Sequence, residues 1–396
     1  MKPCEGGLGT VPGYSFSSIK AEIRYKDRLD FSLIASDTRC HCAGVFTTNK
    51  IFAAPVALCR ERIGGPVKGI LINATNANAC TGDEGLRNAR DLTAAVAGEL
   101  GSEPESILMA STGIIGVQLP ADKMRSAIPQ LTGALSADNA GLIPLAIMTT
   151  DTIPKECAAS FTTSRGEFHI AGTAKGAGMI APNMATLLAF MITDAPVAKR
   201  DLDAVFMRCI DKSLNAITID GDMSTNDSAF LLSPISDSPL SEEGDLEEFE
   251  AALRYVTEKL AELIVTDAEG ATKLARITVT GAASEEDARL AARAIAESML
   301  VKTAMFGKDP NWGRIACAAG YSGADITEEK LTIRIEDAVL FTKGAPTEKN
   351  LEHLMEILGR RSYTIHVDLG IGNGTATYMT SDLSYDYVKI NAEYST

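Results

Sequence analysis

Histidine is scarce in this sequence, with 4 residues among 396. A catalytic triad that depends on histidine is therefore poorly supplied. Basic residues are also in the minority, because 37 Lys and Arg face 52 Asp and Glu, which gives a formal net charge of −15 at pH 7. Nucleic acids and anionic membrane surfaces are bound by clustered Lys and Arg. We therefore expect neither of them as a partner.

Long hydrophobic runs are lacking as well. The most apolar segment, Met179–Ile192, has 14 residues and contains Pro182, whereas a membrane-spanning helix needs about 20 apolar residues. The first residues do not contain the apolar stretch of an export signal. Eight cysteines spread along the chain do not resemble the framework of a disulfide-rich domain. These features predict a cytoplasmic protein without a membrane segment.

The sequence contains few motifs of the kind that bind metals or nucleotides. Cys40-His41-Cys42 is the one cluster of metal-ligand type in the sequence, and a zinc site usually needs a second ligand pair. Gly176-x-Gly178-x-x-Ala181 fits the loose dinucleotide pattern G-x-G-x-x-A, but Pro182 falls where the following helix should begin. We therefore expect no cofactor and no metal.

Strand and helix patterns mix without a strict βαβ rhythm. The sequence predicts a helix at Glu84–Leu100, a helix cap at Ser284-Glu285-Glu286-Asp287 and a short strand at Ile143–Thr149. Near the end, Tyr363–Leu369 and Ala376–Leu383 predict a hairpin that turns through residues 370–374. Mixed runs of this kind predict an α+β fold.

Residues 172–195, GTAKGAGMIAPNMATLLAFMITDA, combine features that favour chemistry. The glycines give the backbone freedom for a tight turn or for close approach to a ligand. Thr186 places a hydroxyl at the entry to an apolar run that should be buried. On its own, a threonine at such a place is compatible with an ordinary core or edge residue of a sheet.

The stretch Lys175–Thr186 resembles the self-cleaving core of the glutamate N-acetyltransferase family of arginine biosynthesis, also called ornithine acetyltransferases. Further stretches resemble blocks of the same family, in the family's order, from about residue 5 to the last residue. These blocks are Asn73–Gly82, Ser111–Gly116, Thr149–Thr152, Asp220–Asp227, Asp267–Lys273, Gly307–Arg314 and Asn391–Thr396. The resemblance implies an α+β fold of the DmpA and ornithine acetyltransferase type, with an N-terminal nucleophile.

The resemblance also implies that the chain cleaves itself between Ala185 and Thr186. The products would be an α chain, residues 1–185, and a β chain, residues 186–396, with a smaller subdomain at about 275–396. Members of the family typically assemble as an α2β2 heterotetramer. A Thr hydroxyl is a weak nucleophile without an adjacent base. The α-amine that cleavage frees on Thr186, with a reference pKa of about 7.7–8.0, would accept the hydroxyl proton.

By similarity, Thr186 attacks the acetyl group of N2-acetyl-L-ornithine, and the resulting acetyl-Thr ester passes the group to L-glutamate. Thr112 and Gly113 would donate hydrogen bonds to the oxyanion of each step. Substrate binding is implied for six residues: Thr152, Lys175, Thr186, Glu269, Asn391 and Thr396. A set that contains a cation and an anion suits zwitterionic substrates.

The residues alone leave other functions open. An amidase or aminopeptidase on a related scaffold would use water as the acceptor, and a non-catalytic binding protein would keep an intact chain. The resemblance also leaves open whether acetyl-CoA is a further acetyl donor. No CoA-binding motif is evident, but such a site needs none.

Overall fold

The computed structural model describes residues 1–181, 187–348 and 350–393. Helices and two mixed β-sheets share these residues, so the predicted α+β class is confirmed. The described strands are β1 (Lys2–Cys4), β2 (Tyr14–Ile19), β3 (Phe31–Phe46), β4 (Val67–Asn73), β5 (Ile107–Ser111), β6 (Lys155–Thr163), β7 (Gly166–Lys175), β8 (Leu188–Thr193), β9 (Ile217–Thr218), β10 (Ser228–Pro234), β11 (Leu274–Ala282), β12 (Thr332–Ile335), β13 (Ala338–Thr342), β14 (Ala345–Pro346), β15 (Ser362–Asp368) and β16 (Gly374–Ser381). The described α-helices are α1 (Ala54–Arg62), α2 (Gly82–Glu99), α3 (Ala121–Gly133), α4 (Leu142–Ile147), α5 (Lys199–Asp211), α6 (Glu243–Thr266), α7 (Glu285–Glu297), α8 (Met299–Phe306), α9 (Trp312–Gly320), α10 (Leu351–Gly359) and α11 (Tyr385–Glu393). None of the helices in these ranges combines the length and apolar character that crossing a membrane requires.

Sheet I contains nine of the described strands, in the order β1-β6-β7-β8-β10-β3-β4-β5, with β2 paired to β3. β8 runs parallel to β10, and β4 runs parallel to β5. The long strand β3 shifts register against β4 between Ala35 and Cys40, and such irregularities bend a strand. The two halves of the sheet face each other, because one buried cluster contains Leu108 from β5 together with Ala158 from β6, which stand near opposite ends of the strand order.

Helices cover both outer faces of the folded sheet. α5 and α6 pack on the half that contains β6, β7 and β8, where Leu253 and Leu260 meet Met191. α2 and α3 cover the half that contains β4 and β5, where Leu92 meets Met109. The apolar residues of α2 recur at helical spacing, which is why this helix buries one face. The two helix layers and the two halves of the sheet thus cover the strand faces. The ends of the inner strands are not covered in this way, and polar residues occur there.

Sheet II contains seven of the described strands, in the order β14-β13-β12-β15-β11-β16-β9. α7 packs on β11 and β16, and α9 packs on α7 and β12. These elements share a separate apolar core that includes Ile277, Ile295 and Ile333. The short strand β9 belongs to the middle of the chain and pairs with β16. It therefore connects sheet II to the segment that leads back to sheet I.

Two local predictions from the sequence can be compared directly with the helices. The cap at Ser284 is confirmed, because its hydroxyl accepts the N–H of Asp287 at the start of α7. The strand at Ile143–Thr149 is wrong, since α4 occupies Leu142–Ile147. A short apolar run fits a strand or a buried helix equally well. Pro144 is tolerated because N–H groups of the first helical turn have no acceptor within the helix.

The predicted hairpin near the end of the chain is also wrong. β15 pairs with β11 in parallel, and β16 pairs with β11 in antiparallel orientation, so β11 lies between them. The connecting segment crosses the end of β11, where Ile371 and Gly372 donate their N–H groups to Gly281 O. Alternating apolar residues identify a half-buried strand, but they do not identify its neighbour.

Lys302 of α8 is buried against the end of β16. Its Nζ donates to Thr380 Oγ1 at 2.8 Å and also to Ser381 O. Burial lowers the pKa of Lys302 to about 7 from its ordinary 10.5, although Asp220 and Asp382 act in the opposite direction. In the unfolded chain the lysine regains its ordinary pKa, so the unfolded state binds more protons between these two pH values.

We predict that the titration of Lys302 makes the free energy of unfolding rise between pH values of about 7 and about 10. Lys302→Met should lose this part of the slope, because methionine does not titrate. The exposed Lys330 supplies a control, and Lys330→Met should keep the wild-type slope. Urea unfolding at several pH values measures both. A Lys302→Met variant with the wild-type pH dependence would contradict the assignment.

Candidate functional site

A cavity lies where the residues that follow β5, β7 and α6 converge. It encloses about 670 Å³ of empty space, part of it open to solvent. The described residues that line it are Ala77, Thr112, Gly113, Ile115, Thr149, Thr150, Lys175, Gly178, Met179, Ser224, Thr225, Asn226, Glu269 and Asn391. This set includes five of the residues predicted from the sequence, namely Thr112, Gly113, Lys175, Glu269 and Asn391.

Gly113 has a backbone φ of +135°, which residues with a side chain rarely adopt. A Cβ at this position would lie 2.1 Å from Thr75 C and 2.4 Å from Asn76 N, so glycine lets the two backbones touch. The neighbouring Thr112 N–H donates to Asn73 O at 3.0 Å. The Gly113 N–H has no acceptor among the described residues. The Gly113 backbone therefore lies at the wall of the cavity.

Lys175, the last residue of β7, is a buried cation at the cavity. Its Nζ donates to Thr112 Oγ1 at 3.3 Å. Burial lowers the pKa of Lys175, and the carboxylate of Asp151 opposes this effect. Burial also raises the pKa of Asp151, but Lys175 and Lys155 together lower it to about 2. Asp151 is therefore a fixed anion that balances the charge of Lys175.

Lys155 joins this pair to a second buried acid. Its Nζ donates to Asp151 Oδ1 at 2.7 Å and to Asp267 Oδ2 at 2.6 Å. The three side chains are at most 4% exposed. Buried charges are tolerated only when they are paired and hydrogen-bonded. The network therefore extends from the cavity at Lys175 to Asp267 near the end of α6.

Thr152 is exposed and is not among the described residues that line the cavity. Its N–H donates to Asp267 Oδ2 at 3.0 Å, and its hydroxyl donates to the other oxygen of the same carboxylate. Its neighbours Thr149 and Thr150 line the cavity instead. Thr152 is thus connected to the site through the buried charges, and its part in substrate binding stays a prediction.

Glu269 and Asn391 form the opposite side of the cavity. The Glu269 N–H donates to Ala177 O at 2.8 Å. A Cβ on Gly178 would lie 2.5 Å from Glu269 Oε2, so this glycine lets the carboxylate rest on the backbone. Asn391 Nδ2 donates to Glu269 Oε2 at 2.8 Å, which brings α11 to the site. A cation and an anion therefore line one cavity.

Aspartates hold the chain on both sides of residues 182–186. Asp220 accepts the N–H groups of Met179 and Ile180 at 2.6 and 2.8 Å. Asp227 accepts the N–H of Leu187 at 2.8 Å. The described residues on both sides, Met179, Ile180 and Leu187, are thus held by aspartate carboxyl groups.

The remaining predicted residues lie outside the described part of the chain. These are Ala185 and Thr186, which flank the predicted cleavage site and the second of which is the predicted nucleophile, and Thr396, which is predicted to bind substrate. Leu187, which is bonded to Thr186, is buried and precedes β8. The assignments of these three residues stay predictions.

Sequence reasoning missed the structural importance of Asn226. Its Nδ2 donates to Ala77 O at 2.6 Å and to Ser111 O at 2.9 Å. These bonds tie the segment before β10 to the end of β5, next to Thr112. The residue belongs to the block Asp220–Asp227, but its partners are more than a hundred residues away in sequence. A local pattern carries no signal for such contacts.

The arrangement offers hydrogen-bond donors and opposite charges rather than metal ligands. Within the described ranges, no group of three or more His, Cys, Asp or Glu residues is arranged to hold a metal ion. Cys40 and Cys42 are buried in β3, away from the residues that line the cavity. The site is suited to an organic ligand with separated charges and to an oxyanion beside Thr112 and Gly113.

Comparison with known proteins gives matches over the whole chain and over parts of it. A model of the ArgJ family matches residues 15–396. The arginine biosynthesis bifunctional protein ArgJ of Geobacter sulfurreducens is 48% identical over 391 residues, which cover 98% of this chain and all of that protein. The crystal structure of a protein with the same name from Bacillus halodurans is 41% identical, covers 52% of this chain and 98% of that chain, and has a TM-score of 0.49. An ornithine acetyltransferase from Mycobacterium tuberculosis, solved in complex with ornithine, is 29% identical, covers 44% of this chain and 94% of that chain, and has a TM-score of 0.42.

The family match and the identity over nearly the full length extend far beyond any single motif. They confirm the family that the sequence blocks predict. The chain belongs to the ArgJ family.

Proposed function

We propose that this chain is a self-processing acetyltransferase of arginine biosynthesis. It moves the acetyl group of N2-acetyl-L-ornithine to L-glutamate and releases L-ornithine and N-acetyl-L-glutamate. The names of the full-length relatives support the pathway. The observation that carries the proposal is that one cavity is lined by Thr112, Gly113, Lys175, Glu269 and Asn391.

The nucleophile in this proposal is Thr186. Cleavage between Ala185 and Thr186 yields an α chain of residues 1–185 and a β chain of residues 186–396, and two copies of each form an α2β2 heterotetramer. Cleavage frees an α-amine next to the threonine hydroxyl. This amine is the general base that activates the hydroxyl. The described residue Leu187 follows Thr186 in the sequence and directly precedes β8.

Transfer then proceeds in two halves. Thr186 Oγ attacks the acetyl carbonyl while its α-amine takes the hydroxyl proton, and the tetrahedral oxyanion collapses as the C–N bond breaks. The proton passes to the departing ornithine nitrogen, and an acetyl-Thr ester remains. The neutral α-amine of glutamate then attacks the ester, and the released proton returns to Thr186 Oγ as it leaves. Thr112 and Gly113 donate to both oxyanions, and the nearby Lys175 ammonium strengthens the Thr112 donor.

The charges of the cavity match those of the acetyl donor. N2-Acetylornithine carries a carboxylate and a side-chain ammonium, because its α-nitrogen is acetylated. We assign the ammonium to Glu269, which Asn391 orients. The carboxylate is assigned to the side of the cavity near Lys175. Thr152, linked to Asp267, and Thr396 are included in this proposal as further substrate-binding residues.

Two points of substrate choice need their own assays. The full-length relatives are called bifunctional, which supports testing acetyl-CoA as a second donor for N-acetylglutamate synthesis. Acetyl release to water, without glutamate, would instead identify a hydrolase. A comparison of glutamate-dependent transfer with acetate release separates the two classes.

Thr186→Ala is predicted to remain a single chain and to transfer no acetyl groups, because it lacks the attacking hydroxyl. Thr186→Ser keeps a hydroxyl and should retain both cleavage and measurable transfer. Intact mass and a glutamate-dependent transfer assay measure the two properties. Wild-type transfer by Thr186→Ala would show that another residue is the nucleophile.

Thr112→Ala is predicted to lower kcat by about 10²–10³-fold, because the oxyanion loses one donor. The Lys175 ammonium loses its hydroxyl partner in the same variant. Thr112→Ser restores the hydroxyl and should recover most of the rate. Steady-state kinetics of cleaved protein provide the measurement, and an unchanged kcat in Thr112→Ala would remove Thr112 from the oxyanion site.

Glu269→Gln is predicted to raise KM for N2-acetylornithine by about tenfold or more, because the substrate ammonium loses a charged partner. KM for glutamate should change less, since glutamate has no side-chain ammonium. Glu262→Gln is the control, because Glu262 pairs with Arg276 on the outer side of α6. Equal effects of Glu269→Gln on both KM values would contradict the assignment of Glu269.

A further inference from the structure

The cavity has an apolar stretch of wall beside its polar groups. Three of its described lining residues carry apolar side chains, namely Ala77, Ile115 and Met179. Met179 directly follows the glycine that rests against the Glu269 carboxylate. Ala77 and Ile115 belong to the other side of the cavity, where the Gly113 backbone lies. This side therefore combines hydrogen-bond donors with an apolar surface that the proposed mechanism does not use.

Ile115 stands close to the predicted oxyanion donors. Gly113 and Ile115 both line the cavity, whereas Ile114 between them is not among the described residues that do. Two residues span at most about 7 Å of chain, so the Ile115 backbone lies within that distance of the Gly113 backbone. Ala77 is held to the same segment, because its N–H donates to Ile114 O at 2.9 Å. Both apolar residues are thus adjacent to the oxyanion position.

An apolar cluster supports this part of the wall from behind. Ile115 packs against a group of buried residues. They are Ala53, Val56, Ala77 and Ala79. The Ala77 carbonyl also accepts Asn226 Nδ2 at 2.6 Å. Closely packed apolar residues yield little to an added methylene group, so this wall has a fixed position.

We propose that Ile115 and Ala77 bind the methyl group of the transferred acetyl group and limit the length of the acyl chain that the enzyme accepts. This inference rests on the proposed function and adds the selection of the acyl group to the same site. The carbonyl carbon of the donor carries an oxygen, a nitrogen and a methyl group in one plane. The oxygen faces Thr112 and Gly113, and the nitrogen leads toward the ornithine ammonium at Glu269.

The methyl group takes the remaining direction. It is one bond from the carbonyl carbon, so it stays on the side of the cavity that carries the oxyanion donors. Lys175, Ser224 and Asn226 present charged or polar groups there, which favour water or hydrogen-bonding partners over a methyl group. Ile115 and Ala77 offer the apolar contact that a buried methyl group favours.

A longer acyl chain would need space that this wall does not leave. In enzymes that select substrates by size, one methylene group in a hydrophobic pocket changes kcat/KM by about 10–200-fold. We therefore expect wild-type protein to prefer N2-acetyl-L-ornithine over N2-propionyl-L-ornithine by about this factor. Equal kcat/KM values of the wild type for the two donors would overturn the inference.

Ile115→Ala tests the pocket at its larger side chain. The substitution opens room for the extra methylene group, so the preference for the acetyl donor should fall by about tenfold or more. The matched control is Ile114→Ala, the same substitution at a neighbour that is not among the described residues lining the cavity. It should keep the wild-type preference. The measurement is kcat/KM of cleaved protein for both donors with glutamate as acceptor, and the ratio within one variant cancels a general loss of active protein.

An unchanged preference in Ile115→Ala, or an equal fall in Ile114→Ala, would overturn the inference. If Ile115→Ala does not fold, judged by circular dichroism, Ile115→Val and Ala77→Gly replace it. Each removes one carbon from the wall, and the preference should fall by about threefold or more. The wild-type preference in both variants would overturn the inference. Wild-type protein that releases acyl groups only to water would contradict the proposed function, whereas its ratio of acetate to propionate release would still test the pocket.

Discussion

The segment that precedes β10 is the constraint on which the rest of the site depends. Asn226 binds the carbonyl groups of Ala77 and Ser111, and the adjacent Asp227 binds the amide of Leu187. Two neighbouring residues thus hold together strands that are distant in sequence. The β10 strand itself is fixed between β8 and β3 deep in sheet I. Residues 112 and 113 and Leu187 therefore keep a fixed separation, which the proposed acyl transfer requires.

A network of buried charges also holds the site in place. Lys155 forms ion pairs with Asp151 and Asp267. The negative charge of Asp151 also stabilises the Lys175 ammonium. Such groups are costly unless each has a partner, and removing one leaves an uncompensated charge. The network therefore keeps the Lys175 ammonium in a defined position beside Thr112. It also explains how Thr152, which is exposed, can be coupled to the cavity through Asp267.

Features that depend on neighbouring residues, or on sequence blocks that a family shares, can be predicted from the sequence. The α+β class, the cap at Ser284 and the family itself follow from periodicity, capping chemistry and ordered blocks. The strand order of β15, β11 and β16 does not follow, because strand pairing depends on partners about a hundred residues apart. The helix α4 was not predicted for another reason. A run of six apolar residues is compatible with a strand and with a buried helix. The contacts of Asn226 and of the Lys155 network could not be predicted from the sequence. They join residues that are distant in sequence and come together only in the folded chain.

The central claim is that Thr186 becomes an N-terminal nucleophile that carries the acetyl group. It is tested most directly by the intact mass of denatured wild-type protein before and after incubation with N2-acetylornithine alone. The account predicts two chains divided between Ala185 and Thr186, with the second chain heavier by one acetyl group, about 42 Da, until glutamate removes it. A single full-length chain, or two chains of which neither gains an acetyl group although ornithine is released, would contradict it.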